Sequence, residues 1–195
     1  DPDHQTDQEK KRELAKKVRS AVDDDADWVG HVAKGKEKIN ELCWNEEAGM
    51  YFDYDFVNKK QFPFEAATTF FPLWAGLCNE HQAKKIVEAA LPQFIKTGGI
   101  TGSTKASSDL FSDDGPQRQW DYPFGWAPHQ VLLWEGLINY RFFDEAQEMV
   151  YRWLWLITKN AVEYNGTIPE KFDLEISSHK VFAEYGNVGT EFDYI

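Results

Sequence analysis

Cysteine is scarce in this chain of 195 residues, with only Cys43 and Cys78 present. Two cysteines cannot build the framework that small secreted domains use. Each lies in an apolar helical context, so two buried free thiols are expected rather than a bridge, and with them a reducing, cytosolic compartment. Long apolar runs are also missing. No stretch reaches the roughly 18 residues that a membrane-spanning helix needs, and the start, Asp1-Pro2-Asp3-His4, lacks the basic-then-apolar order of a secretory leader. Basic residues are in deficit: 21 Lys and Arg stand against 33 Asp and Glu, a formal charge of −12. Such a surface repels phosphate backbones and anionic headgroups, which argues against nucleic-acid and membrane partners. A neutral small molecule is the compatible ligand class. Oligomeric state leaves no mark in the sequence.

Hydrophobic residues at 42% suffice for a core and argue against wholesale disorder. Aromatics reach 15%, with eight Trp, eight Tyr and fourteen Phe, and large flat rings suit sugar and ligand clefts. The length fits one domain or one large piece of a bigger one. Residues 1–35 are charged throughout. Leu14, Val18 and Val22 form a thin apolar stripe on an expected helix over residues 8–22. The acids Asp23, Asp24, Asp25 and Asp27 offer oxygen ligands for Mg²⁺ or Ca²⁺. Their spacing fits no EF-hand loop, and a solvated linker is the expected reading.

Apolar periodicity then predicts a helix over residues 30–43, a turn at Glu46-Glu47-Ala48-Gly49, and an extended segment over 50–56. A helix is predicted over 65–77 with Pro72 kinking it, and another over 79–96 stopped by Gly98-Gly99. Residues 101–118, rich in Ser, Asp and Gly, read as a long loop. Helices are predicted over 128–140, with Pro128 in the first turn, and over 144–160, with Asp144 as N-cap. Residues 166–195 read as loop. The expected class is all-α, built of antiparallel helix pairs, without the strand–helix alternation of a parallel sheet.

Two segments carry chemistry. In Gln119-Trp120-Asp121-Tyr122-Pro123-Phe124-Gly125-Trp126-Ala127-Pro128, two indoles and two further rings surround a carboxylate. Flat apolar faces beside a hydrogen-bonding acid make a wall for a sugar, whose C–H faces stack while its hydroxyls bond. Equally, Asp121 could cap a turn and both Trp could be core. In Ile168-Pro169-Glu170-Lys171-Phe172-Asp173 a Glu beside an aromatic follows a helix, and Glu184-Tyr185-Gly186-Asn187 repeats that pairing. His81 and His129 lack partner ligands at helical spacing, so no zinc site is expected. No phosphate loop is present.

These residues resemble a known family. The segment 119–128 matches every fixed position of a sequence signature of the trehalases, glycoside hydrolase family 37. Flanking stretches are similar to the fungal neutral type: Trp44 to Asp55, Phe64-Glu65-Ala66-Ala67-Thr68-Thr69-Phe70, Leu73-Trp74-Ala75-Gly76-Leu77, Tyr151-Arg152-Trp153-Leu154 and Ala183-Glu184-Tyr185-Gly186-Asn187. The resemblance runs over roughly residues 36 to 190. It implies an (α/α)6 toroid, of which residues 36–195 would be an incomplete, C-terminal part behind the charged segment 1–35. It also implies hydrolysis of α,α-trehalose to two glucoses with inversion. Inversion needs two carboxyl groups about 6.5–9.5 Å apart, one protonating the bridging oxygen and one activating water. By resemblance Glu170 is the general base, Glu184 lies near the substrate, and Trp120, Asp121 and Trp126 shape the cleft. The substrate is a small disaccharide, and no cofactor is needed.

The chain also departs from the family pattern. The family's general acid is an Asp in an upstream Gly-Trp-Asp context, whereas the only Trp-Asp pair here is Trp120-Asp121. The first family signature and the Arg-rich sugar-binding segments are not in the sequence either. A fragment lacking the general acid is therefore expected, and a non-catalytic carbohydrate-binding or interaction remnant is the alternative.

Overall fold

The computed structural model describes Glu13, residues 28–111 and residues 118–181. The helix expected over 8–22 (Glu13 apart), the acidic cluster at 23–27 and the Glu184 segment lie outside the described residues. The chain divides into two units, Asp1–Lys38 and Ile39–Ile195. In the first, the described residues other than Glu13 belong to helix α1 (Trp28–Cys43), where Val29 and Val32 are exposed.

The second unit is mostly helical, but it is not all-α. Among the described residues four antiparallel strand pairs link the helices: β1 (Trp44–Asn45) with β2 (Met50–Tyr51), β3 (Asp53–Asp55) with β4 (Lys60–Phe62), β5 (Ile95–Lys96) with β6 (Gly99–Ile100), and β7 (Phe124–Trp126) with β8 (Lys171–Asp173). All are two or three residues long, too short for the alternation that marks a strand in sequence. The extended segment expected after the Glu46–Gly49 turn is present as β2 and β3.

The helix expected over 65–77 is shorter and broken. A 3₁₀ turn, Ala67–Phe70, leads into α2 (Phe71–Trp74). Pro72 has no N–H to give to a preceding turn, so it opens a new short helix instead of bending a long one. Upstream, the Ala67 N–H donates to Gly102 O at 2.8 Å and the Glu65 N–H to Ser107 Oγ at 3.0 Å, so these donors serve tertiary contacts. The next helix starts where the sequence places it. Asn79 Oδ1 accepts the Gln82 N–H at 2.8 Å while Gln82 Oε1 accepts the Asn79 N–H at 2.9 Å, a reciprocal capping box. From there α3 (Glu80–Lys85), a π-helical turn (Ile86–Ala90) and α4 (Leu91–Phe94) follow without a break, and a hairpin replaces the last turn.

The presumed loop 101–118 contains α5 (Lys105–Phe111). Thr104 Oγ1 accepts the Ser107 N–H at 3.1 Å as an N-cap, and Lys105 pairs with Asp109 one turn on at 2.7 Å. Helix α6 (Ala127–Asn139) carries Pro128 in its first turn as expected. Helix α7 (Phe143–Glu163) starts one residue before Asp144, so Phe142 is the N-cap. Asp144 stands in the first turn, where it complements the helix dipole. Ala146, Met149, Trp153, Leu156 and Asn160 form its buried stripe at spacings of three and four.

Phe70, Leu73, Ile86, Phe94, Leu133 and Met149 anchor the larger core, and Trp153, Leu156, Phe172 and Leu174 a smaller one under β7 and β8. Each such side chain contributes roughly 1.5–3 kcal/mol on burial. Cys43 and Cys78 are unbridged, the first half-buried and the second buried. No helix among the described residues is long and apolar enough to cross a membrane.

One fully buried amide joins helix α6 to the β5–β6 hairpin. Gln130 Oε1 accepts the Ile100 N–H at 3.0 Å, and Gln130 Nε2 donates to Ile100 O at 2.7 Å. Gln130→Leu keeps the volume but strands both backbone groups in the core, at about 1–3 kcal/mol each. We expect a lower urea midpoint at unchanged slope, measured by circular dichroism; an unchanged midpoint would show that the clamp contributes nothing.

Candidate functional site

Strand pairing brings the two chemistry-bearing segments together. In the β7–β8 ladder Phe124 faces Asp173, Gly125 faces Phe172 and Trp126 faces Lys171. Glu170 therefore sits one residue past the Trp126–Lys171 pair, alongside the start of helix α6, and it is solvent-exposed. The ladder continues through the Leu174 N–H, which donates to Pro123 O at 3.0 Å. Gly125 is glycine for space: a Cβ there would lie 2.3 Å from Leu174 Cδ1.

The residues before β7 form a tight turn. Asp121 N–H donates to Arg118 O at 3.2 Å, Phe124 N–H to Asp121 O at 2.9 Å, and Tyr122 N–H to Ser103 Oγ at 2.8 Å. Gly102 lies directly against this turn. Its N–H donates to Phe124 O at 2.8 Å, and a Cβ on it would come within 1.7 Å of Trp120 O. Only a glycine lets the two backbones approach this closely.

The turn stacks the two indoles. Trp120 and Trp126 lie with ring centres 3.9 Å apart and planes 11° from parallel. Trp126 is 4% exposed, and its Nε1 donates to Gln119 O at 2.7 Å. Trp120 is 44% exposed. Trp126 thus backs Trp120, and Trp120 is the indole that meets solvent. Asp121 is half-buried in the turn.

Two residues outside the expected site complete it. Lys171 is only 8% exposed, with its ammonium 4.8 Å from the centre of the Phe124 ring and 5.9 Å from that of Trp126. Both distances suit cation–π attraction. His129, in the first turn of α6, sets its ring edge-on to Trp120 at 5.4 Å and 73°, with Phe71 at 6.1 Å on another side. Burial pushes the imidazole below its ordinary value, and Nδ1 has no hydrogen-bond partner among the described residues. The sequence offered one clue to His129, its place one residue after the 119–128 signature. Asp173, the last residue of the Glu-Lys-Phe-Asp segment, acts locally. Its Oδ1 accepts the N–H groups of Glu175 and Ile176 at 2.9 and 3.1 Å, and burial raises its carboxyl above the usual range.

The described site thus gathers Trp120, Asp121, Trp126 and Glu170 around one ladder and one turn, while Glu184 lies outside the described residues. A flat, half-exposed indole can stack a pyranose face, and an exposed carboxylate can accept a proton from water.

Comparison with known proteins gives a consistent result. A family model described as Trehalase matches residues 6–195. A cytosolic neutral trehalase of Beauveria bassiana is 48% identical over 167 residues, which are 85% of this chain and 22% of that relative. One from Neurospora crassa is 46% identical over 175 residues, 89% of this chain and 24% of that relative. The chain therefore spans about a quarter or less of the length of these relatives. Among solved structures, the neutral trehalase of Saccharomyces cerevisiae superposes with a TM-score of 0.72 at 46% identity, covering 75% of this chain and 27% of that one. A GH63 mannosylglycerate hydrolase from Thermus thermophilus shares the fold at a TM-score of 0.62 and 24% identity, over 75% of this chain and 33% of that one.

The depressed imidazole of His129 sets a pH response. The unfolded chain binds its proton near the ordinary value of 6.5 and the folded chain only below it. His129 therefore leaves stability untouched above pH 6.5 and lowers it as pH falls below that value, by no more than about 1.4 kcal/mol per pH unit. Urea titrations at neutral pH and near pH 5 should show a smaller loss for His129→Phe than for the wild type. Equal losses would mean that His129 titrates normally.

Proposed function

Because this chain belongs to the trehalase family, we propose that it forms part of the catalytic domain of an enzyme that hydrolyses α,α-trehalose to two glucose molecules with inversion. The observation that most supports this reading is the β7–β8 register, in which the Glu170 backbone follows directly on the partner of Trp126, the indole stacked on half-exposed Trp120. Trp120 stacks one glucose ring, with Trp126 behind it. Asp121 and Glu184 bond sugar hydroxyls. Glu170 takes a proton from the water that attacks the anomeric carbon. The acid that protonates the bridging oxygen comes from another segment of the domain, and its pKa must be raised so that it holds its proton near neutrality. No cofactor enters this chemistry.

In this reading the helix pair α6–α7 is one arc of an (α/α)6 toroid, residues 36–195 are part of the catalytic domain, and residues 1–35 are a charged segment ahead of it. The cytosol is the compartment. The names of the relatives and the two unbridged cysteines support it.

The second reading is a binding role without turnover: the stacked indoles need no general acid to hold a sugar ring. Glucose release from α,α-trehalose by the protein carrying this sequence separates the two. Glu170→Gln should lower that rate about 10²–10⁴-fold with trehalose binding nearly unchanged. Near-normal turnover in this variant overturns the base assignment. Trehalose binding by the wild type with no glucose released supports the binding role.

A further inference from the structure

We propose that His129 is a positioning residue for the sugar platform: its ring, nearly perpendicular to the indole, holds Trp120 parallel to Trp126 and so aims the exposed indole face at the substrate. The inference rests on the trehalose reading for its ligand, though not for its geometry.

Trp120 lies on a turn, is 44% exposed, and has two ring neighbours that define its plane. Trp126 covers one face at 3.9 Å. That contact fixes the separation of the planes but leaves the indole able to slide and rotate within its own plane. His129 stands across that freedom, 5.4 Å away and 73° from parallel. A nearly perpendicular ring pair matches a positive edge with a negative π-face and so defines a preferred orientation. His129 is in turn held by the first turn of α6, whose next residue is Gln130, clamped to Ile100 by two hydrogen bonds. The chain of support runs from the core hairpin through α6 to His129 and then to Trp120.

The imidazole Nδ1 is buried without a hydrogen-bond partner among the described residues, a costly state for a polar atom. Its visible contacts are with rings, Trp120 and Phe71. In these contacts position 129 supplies a flat ring at nearly right angles to the indole, and a phenyl ring should supply it as well.

Three variants of the protein carrying this sequence test the idea: His129→Phe, which keeps a flat ring, His129→Leu, which keeps the bulk alone, and His129→Ala, which keeps neither. Stacked indoles give an exciton couplet in circular dichroism, a direct reading of the Trp120–Trp126 pair. His129→Phe should keep the couplet and the trehalose Kd of the wild type. His129→Leu should lose most of the couplet and bind trehalose about 3–10-fold more weakly, with the helical signal intact. Where turnover is measured, KM should rise at unchanged kcat. His129→Ala should follow His129→Leu. If it fails to fold, His129→Leu carries the test. A full couplet in His129→Leu, or weaker binding with the couplet intact, overturns the proposal. Loss of the couplet in His129→Leu when even the wild type binds no trehalose sustains the positioning role and overturns the trehalose reading.

Discussion

Three backbone pairs hold the candidate site together. The ladder between Phe124–Trp126 and Lys171–Asp173 joins segments that the helix pair α6–α7 separates in sequence. Without it Glu170 would hang from a loop after α7, unrelated to the indoles. With it, the backbone of Glu170 is fixed one residue from the Trp126–Lys171 pair. The ladder is held from below by Leu174 and Phe172 in the smaller core and from the side by the Lys171 ammonium against Phe124 and Trp126. So short a pair has little stability of its own. Its persistence comes from the helix α7 stripe, where Trp153 meets Phe172 edge-on at 5.5 Å.

The turn that carries Trp120 is specified by exclusion. Gly102 and Gly125 mark the places where a Cβ would strike Trp120 O and Leu174 respectively. These contacts press the 99–104 segment, the signature turn and the residues after β8 into one layer. The aromatic stack lies at its edge, buried through Trp126 and open through Trp120. Rigid backing with one open face is the form a sugar platform requires, since stacking on a mobile ring would first have to order it.

Much of the helical frame was legible in the sequence. The Asn79–Gln82 capping box and Pro128 are local signals, and the structure starts helices at both. Local signals failed where tertiary bonding took over. The 65–77 helix lost its first residues to contacts with Gly102 and Ser107, and α5 was hidden by a Ser- and Asp-rich composition that reads as loop. The extended segment over 50–56 was read and is present as β2 and β3, whereas the other strands were too short to carry a period. At the site, the sequence pointed to Trp120, Asp121, Trp126 and Glu170 through residue type and resemblance, but their proximity depends on a ladder that no local pattern announces. It gave no role to His129, because an edge-on ring contact leaves no spacing rule.

The sequence by itself determined the compositional class, most helix starts, the family and the residue types available for chemistry. All of these follow from local backbone preference, apolar periodicity or direct comparison of residues. The tertiary structure alone decided which of the two indoles is open to solvent, that Lys171 and His129 pack against the pair, and that the Glu170 segment pairs with the strand carrying Trp126. Those outcomes depend on non-local pairing and close packing, where backbone segments far apart in sequence compete for the same space.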